Sequence, residues 1–391
     1  MKRAGYPIYL DCNASTQIPP RVREVIARAL EEGFANPSAA HPFGRRARAI
    51  VERARAQVAA LLGAEPDEIL FTSGGTEANN LALRGVLGAG SVLVTGAIEH
   101  PATLGPARVL GEAGVHVVTV EPRPEGYVDP GRVAAALDAA LSTRAARADR
   151  AAPGTTMVSV MLAQNETGVL QPVADIAERA RARQALVHSD AAQAVGKIRV
   201  DVNELGVDLL SVAAHKLYAP KGVGALYVRR GVPLRPLMVG AGHERGLRPG
   251  TENVAGVAGL GEACAMALES LEEEAWRQRR LRDSLEARLA TGGFVVHGAG
   301  APRLPNTVNG RFPGVRGSAL MARLGEELAF STGSACHSGE EHASAVLLAM
   351  GIPAEDALGA IRLSLGRGTT KDEIARAAEL LLAAAQAARQ E

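Results

Sequence analysis

A lysine and an aspartate, each at the carboxyl end of an apolar run, are the residues of this chain best placed to do chemistry. Lys216 follows His215 after Leu209, Leu210 and Val212, in a turn continued by Ala219-Pro220-Lys221-Gly222. Asp190 ends Val187-His188-Ser189 and leads into Ala191-Ala192-Gln193. A lysine at the mouth of a buried strand is desolvated, which lowers its pKa and frees the amine as a nucleophile. A loop lysine is as often a plain solvated charge, and this stretch alone does not separate the two. The upstream aspartate does. An amine that forms a Schiff base, with a carboxylate for a pyridinium nitrogen, is the pair that pyridoxal phosphate requires of its protein.

A phosphate needs its own cradle. The turn Thr72-Ser73-Gly74-Gly75-Thr76 leads from an apolar run into a helical pattern beginning at Glu77. Glycines let the backbone come close, and the first amides of a helix favour an anion. Alone, the turn would read as an ordinary Ser/Thr cap; with Lys216 and Asp190 downstream it reads as a phosphate site. Cys336 lies in Gly333-Ser334-Ala335-Cys336-His337-Ser338-Gly339, whose small residues give it little to pack against, so we expect a flexible loop and a nucleophilic thiol. A metal site from Cys336, His337 and His342 would lack a second ligand pair, and no metal is expected.

These residues sit within an ordered set of motifs covering nearly the whole chain. They are Asp11-Cys-Asn13-Ala-Ser-Thr16, Thr72 to Asn80, Glu99-His100-Pro-Ala, Asn165-Glu-Thr-Gly168, the Asp190/Lys216 block, Arg248-Pro-Gly-Thr251-Glu-Asn253 and Ser334-Ala-Cys336-His-Ser. The set resembles the group V aminotransferases, and within them the cysteine desulfurases and selenocysteine lyases. The resemblance implies that Lys216 carries the cofactor, Asp190 meets the pyridine nitrogen, Gln193 the phenolic oxygen, and His100 stacks on the ring. It implies phosphate contacts from Gly75, Thr76 and His215, with Thr251 arriving from a neighbouring subunit, hence a homodimer. Asn165 is expected beside the cofactor and, with Asn13 and Arg367, around the substrate carboxylate, since a planar bidentate cation suits that group. The family commonly has Ser two residues before the His, where this chain has Ala213.

Elements that could position such a site are legible as alternating patterns. Val92–Thr95, Val115–Val120, Met157–Leu162, Leu186–His188 and Leu209–Val212 read as buried strands, with helical spacing near 101–113, 130–141 and 172–184. That alternation predicts an α/β fold with a mainly parallel sheet between helices, its ligands beyond the strands' carboxyl ends. The resemblance makes it a fold type I, seven-stranded sheet: a cofactor domain over 15–255 and a smaller α+β domain from 1–14 plus 256–391. Ser142 to Gly154 reads as a surface connection, and Cys264 as a small core hydrophobe within a long helix.

Composition narrows the partners. Lys+Arg 43 against Asp+Glu 42 leaves +1, so no global field attracts nucleic acid or an anionic membrane. We also expect no bilayer-spanning run and no signal peptide, hence a cytoplasmic protein. Three scattered cysteines argue against a disulfide framework. The resemblance implies conversion of L-cysteine to L-alanine, leaving a persulfide on Cys336 for a protein acceptor in iron–sulfur assembly or thiolation. Selenocysteine lyase is the alternative within the same chemistry. An aminotransferase would not need Cys336, and a non-enzymatic scaffold would not need Lys216, Asp190 and His100.

Overall fold

The computed structural model describes residues 7–146, 154–337 and 340–390. Its main sheet contains β1 (Ile69–Thr72), β2 (Val92–Gly96), β3 (His116–Val120), β4 (Thr156–Ser159), β5 (Leu186–Asp190), β6 (Leu209–Ala213) and β7 (Gly224–Val228). The seven strands lie in the order β1-β7-β6-β5-β4-β2-β3. From β3 across to β6 every pair is parallel; β7 runs antiparallel to both β6 and β1. The expected α/β architecture is therefore observed. β2, β4 and β6 are buried along their whole length, which is why they read as unbroken apolar runs. Edge strand β3 is only half-buried over its first residues.

Helices Gly75–Val86, Pro101–Glu112, Pro130–Ala146 and Val173–Arg181 connect these strands. Pro130–Ala146 runs past its expected end, and residues 147–153 of the expected surface connection lie outside the described residues.

A second apolar core contains Leu285, Leu289, Val308, Phe312, Leu363, Ile374 and Leu381, and takes Leu10 from the N-terminal segment. It lies beside a four-stranded sheet ordered Ser331–Thr332, Ile361–Ser364, Thr307–Arg311, Val295–Val296. Strand Ile8–Tyr9 pairs with Leu328–Ala329. One helix, Val254–Ala290, serves both cores. Val257, Leu260, Cys264 and Ala267 belong to the large core, and after Ser270, where φ and ψ leave the helical range, Leu281, Leu285 and Leu289 enter the small one. The Ser270 hydroxyl donates to the Met266 carbonyl, a back-bond that bends helices. By length and composition alone this helix is apolar enough to cross a membrane, contrary to expectation. In the fold it lies instead against helices Pro20–Glu32 and Pro42–Leu62.

The stretch expected as a loop around Cys336 differs. Ser334–His337 and Glu340–Ala343 pair as an antiparallel hairpin, Ser334 opposite Ala343 and Cys336 opposite Glu341. Ser-Ala-Cys-His and Glu-Glu-His-Ala carry no alternation to announce a strand.

The strand that delivers the glycine turn is braced from below. Arg55 donates to both carboxylate oxygens of Glu244 at 2.7 and 2.9 Å and to the Ile69 carbonyl at 2.8 Å. Glu244 in turn accepts from the Phe71 amide at 2.9 Å. Both side chains are nearly sealed from water, at 7% and 2% exposure, so removing one partner leaves a buried, uncompensated charge. Arg55→Met is expected to cost about 3 kcal/mol, seen as a lowered denaturant midpoint, and Arg55→Met with Glu244→Leu to recover part of it. A single variant as stable as the parent would show that the pair does not brace β1.

Candidate active site

The carboxyl ends of the parallel strands and the glycine turn converge on one cavity of about 360 Å³, the place where an open α/β sheet binds ligands. β2 leads to His100, β4 to Asn165, and β5 ends on Asp190. β6 ends on Ala213, and the short 3₁₀ turn Ala214–Lys216 then carries His215 and Lys216 to the same wall. Gly75, Thr76 and Gln193 complete that side, and Asn13 approaches from the N-terminal segment. Nine of the residues singled out from the sequence thus share one cavity: Asn13, Gly75, Thr76, His100, Asn165, Asp190, Gln193, His215 and Lys216.

The electrostatics follow from burial. The Lys216 amine makes no hydrogen bond among the described residues, and burial pushes its pKa down while Asp190 partly restores it and Arg362 lowers it further. Asp190 is 7% exposed. One of its oxygens accepts from Asn79 Nδ2 at 2.7 Å and the other from the Ala192 amide at 2.9 Å. Burial first, then Lys216, lowers the pKa of His100. Its Nδ1 accepts from the Ala102 amide at 3.0 Å, so the neutral ring carries its proton on Nε2. His215 is likewise pushed down by burial and by Lys216 and Lys221.

Helix Gly75–Val86 opens at the cavity with Gly74 at φ 152° before it. Its first amides have no intrahelical partner. A Cβ on Gly75 would lie 3.1 Å from the Ala213 methyl, so this approach of β6 to the turn is itself close enough to favour glycine.

Of three further expected residues, one takes another place, one is expected to act from a neighbouring subunit, and one has its side chain outside the described residues. Arg367 does not face the cavity: its guanidinium lies over the Tyr218 ring, 5.4 Å from the centroid, and donates to the Met266 carbonyl. Arg362 lines the cavity instead. Along Ile361–Ser364 the apolar Ile361 and Leu363 enter the small core, so strand alternation turns Arg362 the other way. It pairs with Asp11 at 2.7 Å and donates to the Asn165 carbonyl, and its buried Nε has no partner among the described residues. Arg367 lies beyond the strand, in the turn before the last helix, where that alternation no longer holds. Thr251 is exposed and lines no part of the cavity within this chain. Cys336 has its backbone in the hairpin, and its side chain lies outside the described set. Cys12 is buried, its thiol pushed up to about 12 by burial, which makes it a poor nucleophile at neutral pH.

Two further residues carry part of the site. Asn79 stands one turn after Gly75, on the face that meets Asp190, and helical spacing from the glycine turn would have found it. Lys197 is buried behind Gln193, and nothing in its local sequence sets it apart from a surface lysine.

These groups fit pyridoxal phosphate. An amine with no hydrogen bond among the described residues, a carboxylate held by two donors, a helix amino terminus and the side chains of His100, His215 and Arg362 all line a cavity of cofactor size.

The class-V aminotransferase family pattern matches residues 8–377. A cysteine desulfurase IscS of Dictyoglomus turgidum is 41% identical over 374 residues, 94% of this chain and 91% of that protein. A selenocysteine lyase of Bos taurus is 40% identical over 411 residues, 94% of this chain and 90% of the other. Among solved structures, a NifS-like protein aligns with a TM-score of 0.85 at 36% identity, covering 96% of this chain and 98% of that one. Sequence pattern, fold and cavity agree: the chain belongs to the class-V aminotransferase family.

Proposed function

We propose that this protein is a pyridoxal phosphate-dependent cysteine desulfurase, taking sulfur from L-cysteine and releasing L-alanine. The observation that carries the reading is the meeting, in one cavity, of the Lys216 amine, without a hydrogen bond among the described residues, the braced Asp190 carboxylate and Arg362. Bound pyridoxal phosphate supplies an electron sink for the pair left on the substrate's Cα. The chain's own residues do the rest. Asp190, oriented by Asn79, holds a proton on the ring nitrogen. The neutral His100 ring offers a face to stack on. Helix Gly75–Val86 and His215 give donors for the phosphate. Arg362 and Asn165 hold the amino acid's carboxylate, and the lowered pKa of Lys216 lets its amine take and return the Cα proton.

In this reading Cys336 takes the sulfur. Its thiolate attacks the substrate Sγ, an S–S bond forms, and the C–S bond breaks with its electron pair staying on carbon. That carbon is then protonated to give alanine, and the persulfide on Cys336 passes to a protein acceptor in iron–sulfur assembly or thiolation. A selenocysteine lyase activity on the same residues is the second reading, supported by the 40% identity to the bovine selenocysteine lyase. Cytoplasmic location is also proposed, on the cysteine usage alone; a membrane-bound or exported pool on cell fractionation would overturn it.

The active unit in this reading is a homodimer. Exposed Thr251 and the exposed pair Met238-Val239 stand on one segment after β7, and clustered exposed apolar residues mark contact surfaces.

Carboxylate binding is tested by comparing two arginines. A charge-assisted hydrogen bond is worth about 1.5–3 kcal/mol, so Arg362→Ala should lower kcat/KM for L-cysteine by about 10–150-fold. Arg367→Ala should leave KM near the parent value and act on stability; the reverse pattern would return the role to Arg367.

Subunit sharing is tested by mixing inactive Lys216→Ala chains with inactive Arg248→Ala/Thr251→Ala chains. Regained activity on heterodimer formation is expected; a protein that stays monomeric in light scattering would end the dimer reading.

Sulfur chemistry is tested at Cys336. A selenolate leaves more readily than a thiolate and needs less help. Cys336→Ser should abolish alanine formation from L-cysteine, keep part of that from L-selenocysteine, and leave the visible cofactor band unchanged. Turnover of cysteine at the parent rate by this variant would remove Cys336 from the mechanism.

A further inference from the structure

The mechanism above leaves unused a second buried lysine. The chain turns at Gly196, with φ 76°, where a Cβ would lie 1.9 Å from Leu217 Cδ1, and the next residue, Lys197, is 6% exposed. Its Nζ donates to Gln193 Oε1 at 2.7 Å and to Asn13 Oδ1 at 2.9 Å. Among the described residues no carboxylate pairs with it. Both partners are uncharged amide oxygens, weak compensation for burying a cation, and a surface lysine would have been cheaper to fold around. Burial and the nearby Lys216 bring its pKa to about 7, with Arg362 pressing the same way and Cys12 opposing.

The contacts specify orientation. An ammonium has donors only, and a neutral amine still turns its hydrogens toward these oxygens. Gln193 therefore keeps its carbonyl toward Lys197, and its Nε2 donates one hydrogen to the Asn13 carbonyl at 2.9 Å. The second Nε2 hydrogen is left for the cavity that Gln193 lines. Asn13 is fixed the same way. Its Oδ1 faces Lys197 and Asn306, and its Nδ2 donates to Thr307 Oγ1 at 2.9 Å. The Asn13 amide reaches Ser364 Oγ at 2.9 Å, two residues from Arg362.

We propose that Lys197 is a positioning residue. It holds the Gln193 amide with its N–H side toward the cofactor's phenolic oxygen, and through Asn13 ties that amide to the strands that carry Arg362. The proposal rests on the pyridoxal phosphate reading of the cavity. A donor at the phenolic oxygen favours its ionised form, so losing that donor raises the pH at which the bound cofactor's visible band changes.

The experiment is a pH titration of the visible band in purified holoenzyme, for the parent, Lys197→Met, Gln193→Ala and the double variant. Lys197→Met is expected to move the midpoint up by roughly one pH unit, and Lys197→Arg, which keeps the donors, to move it less. If Lys197 acts through Gln193, the double variant matches Gln193→Ala alone. An unmoved midpoint in Lys197→Met, or shifts that add in the double variant, would overturn the proposal. A merely structural lysine would lower the melting temperature without moving the midpoint. Should Lys197→Met not fold, Lys197→Gln carries the same test. A parent protein with no visible band after incubation with pyridoxal phosphate would defeat the cofactor reading itself, a separate outcome.

Discussion

A lysine amine drawn largely out of water, with a carboxylate near it but no hydrogen bond among the described residues, is the constraint on which the rest of this structure depends. Such a group is costly, and the fold meets the cost by making the wall around it rigid. Asp190 cannot swing to pair with Lys216, because Asn79 and the Ala192 amide already hold its oxygens. Asn79 is fixed by the helix that begins at the glycine turn, and that turn is delivered by β1. β1 in turn hangs on the sealed Arg55–Glu244 pair. Buried polar contacts at either end of one strand–turn–helix unit thus connect the outer helix layer to the carboxylate beside the amine, shielded from the water that would loosen them.

The same logic explains why polar groups run through the middle of the sheet. His188 on β5 bridges Ser159 on β4 at 2.9 Å and Ser211 on β6 at 3.0 Å. Burial pushes its pKa down to about 4, so it stays neutral and both ring nitrogens are occupied. Placed two residues before Asp190, it shares that residue's face of the sheet. A charge there would act on the site, and burial keeps it from forming one while the two hydroxyls satisfy the neutral ring.

Legibility in the sequence followed the kind of burial. Strands covered on both faces appear as apolar runs, and the turns at their carboxyl ends carry the polar residues, so His100, Asn165, Asp190 and Lys216 could be read in place. The hairpin at 334–343 could not, because Ser-Ala-Cys-His and Glu-Glu-His-Ala show no alternation. Lys197 was invisible for a different reason: its role lies in contacts to Asn13 and Gln193, the first of them 184 residues away in sequence. Asn79 was quoted within a motif without a role, since only the fold sets it against Asp190.

Arg367 shows how a motif position can mislead when strand register decides the chemistry. The turn Leu365-Gly366-Arg367 passes very close to two buried groups: a Cβ on Gly366 would lie 2.5 Å from Cys12 Sγ and 3.1 Å from the Tyr218 hydroxyl. That hydroxyl accepts from the Arg367 amide at 2.9 Å. On the far side, Arg277 donates to the carbonyls of Gly366, Arg367 and Thr369. Arg277 follows the bend at Ser270 and Met266 precedes it. By reaching Met266, Arg367 joins the first half of that helix to a turn that Arg277 holds from the second. Its charge serves the seam between the two cores. Arg362, five residues earlier on the strand, is the arginine that this seam leaves lining the cavity, where Asp11, Ser331 and the Asn165 carbonyl hold its guanidinium.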